Sequence, residues 1–136
     1  MIPNSHEWNF AVRWREVLVR IELDPVPKLE HELKFHPDRN WRFDFGCRAA
    51  LLAIEIDGGM HQGARGGHTS FAGATRDRQK DFAAIMLGWT VIRLTPLMIT
   101  WESVEQIARL ASQRMATEKG RQDGSQETDS DGAQSD

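Results

Sequence analysis

The chain has 136 residues and a mass of 15.5 kDa, the size of one domain, and no apolar run approaches the roughly 20 residues needed to cross a bilayer. The single cysteine, Cys47, excludes an internal disulfide and a multi-cysteine zinc module, and the opening MIPNSHEWNF lacks the basic and apolar blocks of a secretory signal, so a cytoplasmic setting without membrane contact is expected. The formal charge of −3 is uneven: residues 117–136 hold six acidic and two basic groups, a net of −4, which leaves the first 116 residues at +1 and rich in arginine.

Residues 6–22 place Trp14, Val17, Leu18 and Ile21 at helical spacing, and Asp24, Pro25 and Pro27 end the pattern. EHELKFH at 30–36 begins a strand. Pro37, Asp38, Arg39 and Asn40 supply turn chemistry before WRFDF, whose period of two sets Trp41, Phe43 and Phe45 on one face and Arg42 and Asp44 on the other. A hairpin is expected there. LLAIEI at 51–56 is the run of a central strand, with Leu52, Ile54 and Ile56 on one side and Ala53, Glu55 and Asp57 on the other.

Six of the 16 residues after Asp57 are glycine, the composition of a long loop. TRDRQKDFAAIML at 75–87 reads as a second helix with Phe82, Ile85 and Met86 on its apolar face, followed by Gly88 as a stop and WTVIRL as a last strand. Thr100 caps a final helix with Trp101, Val104, Ile107, Ala108 and Ala111 on its apolar side. Residues 117–136 have no Val, Ile, Leu, Phe or Trp, and read as a disordered acidic tail with a solubility or spacer role. The expected architecture is α/β, in the order helix, three strands, helix, strand, helix, with the folded domain spanning 1–116.

The positions of the carboxylates are the strongest sign of chemistry. Asp44 is flanked by aromatic residues and Glu55 lies inside an apolar strand, where a charge costs several kcal/mol (about that much) unless it is paired or holds a cation. Two acids converging from consecutive strands form a hard-oxygen site suited to Mg²⁺; the competing reading makes each a solvent-facing or arginine-paired residue.

The segments ELKFHPDRNWRFDFG, LLAIEIDGG, GGHT and RDRQKDFAAIMLGWTVIRLT resemble the PD-(D/E)XK nuclease superfamily, and within it small phage and bacterial proteins akin to the very-short-patch-repair endonucleases. The resemblance covers about residues 6–110. It implies a restriction-endonuclease-like core, a Mg²⁺- or Mn²⁺-dependent endonuclease acting on DNA in repair or recombination, and, for a phage protein, the host cytoplasm. Asp44 matches the family's aspartate and Glu55 its glutamate, the pair that binds the metal.

The family's lysine, two residues after the glutamate, is replaced by Asp57. The resemblance offers Lys80, in an Asp77-x-x-Lys80 pattern on the second helix, as its relocated equivalent. Lys80 is the only lysine between Lys34 and Lys119; it is otherwise a solvated helix residue paired with Asp77 or Glu55. Asp57 is a candidate third ligand or a turn residue before two glycines, and Glu32 a candidate ligand or an edge-strand surface group. His61 is a candidate proton donor to the leaving oxygen. His68 and Thr69, with Arg42, Arg65, Arg76 and Arg78, are candidate DNA contacts.

Set against the nuclease are a non-catalytic DNA-binding domain of the same fold, for which Asp57 in the lysine slot argues, and a toxin or host-interaction protein. A homodimer is compatible with cutting both strands.

Overall fold

The computed structural model describes residues 5–57 and 71–131, and its elements follow the expected order. Helix α1 spans Ser5–Arg20, strands β1, β2 and β3 span Glu30–Lys34, Arg42–Cys47 and Leu52–Ile56, helix α2 spans Phe71–Met86, strand β4 spans Thr90–Leu94, and helix α3 spans Trp101–Asp131. The four strands form one mixed sheet in the order β1-β2-β3-β4. The first three are antiparallel neighbours, and β4 lies parallel to β3 after a crossover that contains α2.

The sheet is covered on both faces. On one, Phe10, Trp14 and Val17 of α1 and Val104, Ile107, Ala108 and Ala111 of α3 pack on Phe45, Leu52, Ile54 and Leu94. On the other, Ala84 of α2 meets Leu33, Phe35, Phe43, Ala53 and Trp89. Thr100 caps α3 as its sequence suggests, its hydroxyl accepting a bond from the Ser103 amide at 3.2 Å. Among the described residues, no helix is long and apolar enough to cross a membrane.

Three expectations change. Phe43 and Phe45 do not share a face: Phe45 packs with Phe10 and Trp14, whereas Phe43 joins Ala84 and Trp89. The partner strand shows why. His31 pairs with Phe45 and Leu33 with Phe43, and between them Glu32 sits at φ 53, a left-handed conformation that reverses the in–out alternation of the hairpin. Asp44, between the two phenylalanines, stands at the reversal.

The second change concerns α2. Phe82, Ile85 and Met86 are exposed, and the helix instead buries the stripe of Ala84, with Lys80 and Asp81 half-buried beside it. A methyl group at Ala84 lets the helix approach the aromatic floor of Phe35, Phe43 and Trp89 closely.

The third is the C-terminus. Helix α3 continues to Asp131, past the boundary at 117 where composition places the tail. The turns from Trp101 to Met115 are the packed ones, and they supply the nucleus from which the later turns extend.

Gly46 is the tightest point of the sheet. A Cβ there would overlap the Leu33 side chain and come within 2.8 Å of the Leu52 carbonyl oxygen. Gly46→Ala is therefore expected to destabilise the fold by about 1–3 kcal/mol, the usual range for overpacking, which a urea titration would measure. A midpoint equal to wild type would show that β1 and β3 can yield there.

Candidate active site

The register brings the acids together. Phe45 pairs with Ile54, so the next position along the two diverging strands sets Asp44 opposite Glu55. Each carboxylate reaches across the gap: Asp44 Oδ2 accepts from the Ile56 amide at 2.8 Å, and Glu55 Oε2 accepts from the Asp44 amide at 3.2 Å. On its other side, parallel pairing sets Glu55 beside Arg93 of β4.

Lys80 arrives from α2. Its ammonium donates to the Arg42 carbonyl at 2.9 Å, stands 3.6 Å from Glu55 Oε2, and lies over the Phe43 ring at 4.4 Å from the centroid. The lysine is thus held at three points and only 14% exposed. It pairs with Glu55, one of the partners open to it from the sequence; the other, Asp77, is exposed.

Glu7, on the first turn of α1, completes the acidic group. Burial pushes the Asp44 carboxyl up to about 7, helped by a hydrogen bond with the Glu7 side chain and by the charge of Glu55. Glu55 is also raised, mainly by burial, against the lowering influence of Lys80. His31 Nε2 lies 4.0 Å from Glu7 Oε1, buried and without a hydrogen-bond partner. The site therefore holds more negative charge than its single lysine balances.

Asp57 and Glu32 are engaged elsewhere. Arg93 binds Asp57 at 3.1 Å and Asp81 at 2.8 Å, and Glu32 accepts from Arg42 at 3.3 Å. Arg93→Met would strand two carboxylates at once and is expected to cost about 1–3 kcal/mol, the worth of charge-assisted bonds at a half-buried site. Thermal melts of the purified variant measure this; an unchanged midpoint would show that Asp57 and Asp81 are hydrated without it.

Arg42, Arg76 and Arg78 are exposed on the hairpin and on α2. His61, Arg65, His68 and Thr69 lie outside the described residues. Cys47 is buried and free, its thiol pushed up to about 12 by burial, as suits a packing residue.

Three participants are missing from the sequence reading. Glu7 reads only as a favourable acid in the first turn of a helix. Arg93 carries a usable signal, a charge inside the last apolar strand, as Glu55 does in its own. Asp81 is masked by the more conspicuous Asp77.

The donor set suits a hard divalent cation. Mg²⁺ keeps several waters and takes one or two protein carboxylates, a number that the Asp44 and Glu55 pair offers. Among the described residues, no group of three or more His, Cys, Asp or Glu side chains is placed so that it could hold a metal ion. Comparison with known proteins finds no matching family model, no similar curated protein and no similar solved structure.

Proposed function

We propose that the chain is a Mg²⁺- or Mn²⁺-dependent endonuclease that hydrolyses DNA phosphodiesters, built on a restriction-endonuclease-like core. The observation that carries this reading is the meeting of Lys80 from α2 with Glu55 from β3 at 3.6 Å, beside Asp44. Two acids and a cation from three separate elements are the minimal set for metal-assisted hydrolysis. Asp44 and Glu55 would hold the ion, with waters completing its shell. Bound there, it would supply a water of lowered pKa and neutralise charge on the scissile phosphate.

The chain's own groups do the rest. Lys80, fixed by the Arg42 carbonyl, presents an N–H to the attacking water and opposes the rise that burial imposes on Glu55. Arg93 pairs with Asp57 and with Asp81, which offsets part of the charge that this aspartate in the usual lysine slot brings to the site. Arg42, Arg76 and Arg78 offer exposed guanidinium groups to a phosphate backbone.

A second reading, a non-catalytic DNA-binding domain, draws on one observation. Asp44 and Glu55 each accept a backbone N–H, and so tie β2 to β3 where the two strands part. Supercoiled plasmid decides between them. The nuclease nicks it with Mg²⁺ or Mn²⁺, EDTA stops the reaction, and Asp44→Ala loses it; retardation of the plasmid without nicking leaves the binding domain.

A further inference from the structure

A groove of about 570 Å³ runs between the hairpin turn and the outer side of α2, lined by His36, Arg39, Trp41, Arg78, Gln79 and Phe82 along with Thr75 and Ala83. Its volume lies in the range of small-molecule sites, roughly 300–1,000 Å³. Among the described residues, no acidic one lines it. Two of its walls are aromatic: Trp41 is half-buried and Phe82 is 64% exposed.

The hairpin wall is preformed. Trp41 stacks on Phe35 at 6.5 Å between ring centroids and an interplanar angle of 13°, and the Arg39 guanidinium lies over its ring at 4.9 Å. His36 is fixed as well. Its Nδ1 accepts from the amides of Asp38 and Arg39 at 3.1 and 2.9 Å, which leaves Nε2 as the protonated, donating nitrogen of the neutral ring. The groove thus combines aromatic faces, two guanidinium groups and an imidazole donor.

That combination is what a single-stranded nucleic acid recognises: bases stack on aromatic faces while cations follow the phosphates. An apolar protein partner would find the arginines unpaired, and a duplex would keep its bases away from the aromatic walls. We infer that this groove seats an unpaired nucleotide of DNA, its base against Trp41 and Phe82 and its phosphate on Arg39 and Arg78. The groove and the site adjoin in sequence: Trp41 precedes Arg42, whose carbonyl holds Lys80, and Gln79 precedes Lys80 itself. On this proposal a strand seated in the groove continues as paired DNA towards the acidic site. The inference rests on the nuclease reading for that substrate class, namely DNA with a displaced or unpaired nucleotide beside the scissile bond.

Binding in EDTA separates the two ideas, because no cleavage is needed to read it. Fluorescence anisotropy with labelled octathymidylate is expected to report binding by the wild type, weakened about tenfold by Phe82→Ala and again by Arg78→Gln, within the usual worth of one stacked base or one phosphate contact. Phe82 and Arg78 are exposed, so both variants should keep the wild-type melting curve. An oligonucleotide bearing 5-iodouracil should crosslink on irradiation to the peptide containing Trp41 or Phe82. Wild-type affinity in both variants overturns the groove, as does a wild-type dimer that Phe82→Ala dissociates while oligonucleotide binding is unchanged. Intact binding by a wild type that, with Mg²⁺ or Mn²⁺, cuts neither plasmid nor a duplex bearing a single-stranded flap supports the groove and overturns the nuclease alone.

Discussion

Asp44→Asn is expected to lower metal-dependent cleavage on the order of 10³-fold while making the metal-free protein more stable above neutral pH. The two effects share one origin. Asp44 is raised from 3.8 to about 7 by burial first, then by its bond with Glu7 and the charge of Glu55. A carboxyl raised on folding binds its proton more tightly in the native state than in the unfolded chain. Its favourable contribution is complete below the unfolded value of 3.8 and is lost as pH climbs through about 7. Asparagine never ionises, so it avoids that loss. Its amide oxygen can still accept from the Ile56 amide, and its NH₂ can donate to Glu7.

Urea midpoints in EDTA should therefore favour the variant at about pH 8, and the margin should shrink towards about pH 4. Saturating Mg²⁺ should raise the wild-type midpoint and leave the variant nearly unmoved. A wild type more stable than Asp44→Asn at the alkaline end would mean that the charged bond to Ile56 outweighs the crowding of acids.

Lys80→Ala is expected to slow cleavage by about 10²–10⁴-fold, the span of a general acid–base or electrostatic group, with DNA affinity little changed because one charge contributes modestly to it. The lysine is poised for that role by its bond to the Arg42 carbonyl and its contact with Glu55. Its loss also removes the main influence holding Glu55 down, so the acidic limb of the pH–rate profile should move to higher pH. Lys80→Arg separates charge from position: its planar guanidinium keeps the cation over Phe43 but moves the donors away from the ammonium's place, and should recover stability more than rate. Asp57→Lys should not rescue Lys80→Ala, since the new cation would face Arg93. A Lys80→Ala protein that melts early yet cuts at the wild-type rate would make the lysine a structural brace and nothing more.

Asp44 and Glu55 stand out in the sequence for a simple reason, whereas Lys80, in a charged stretch, is offered by the resemblance. A charge inside an apolar or aromatic run is expensive, and that expense is written in a handful of adjacent letters. The strands were legible because each is a short apolar run bounded by turn chemistry. Glu7 depends on which helix covers which strand, which leaves no local mark; Arg93 is marked as a charge inside an apolar strand, but its partners depend on parallel pairing across a long crossover. The exposure of Phe82, Ile85 and Met86 was hidden because helical periodicity measures apolar content, whereas close approach to the sheet favours the small Ala84. The helical residues beyond 117 escaped for the converse reason, since their composition reports what they cannot bury and says little about how far a formed helix propagates.

The left-handed Glu32 has a consequence for how the molecule can change. It puts a half-twist in the hairpin ribbon, so one surface of the ribbon becomes the other partway along. His31 and Phe45 answer to the α1 side, Leu33 and Phe43 to the α2 side, and the two sets of buried residues have no member in common. Substitutions accumulating in one layer need no matching substitutions in the other. Asp44 sits on the seam, held by the Ile56 amide of β3 and the Glu7 side chain of α1, so the α2 wall of the cleft can drift in sequence while the acid keeps its place.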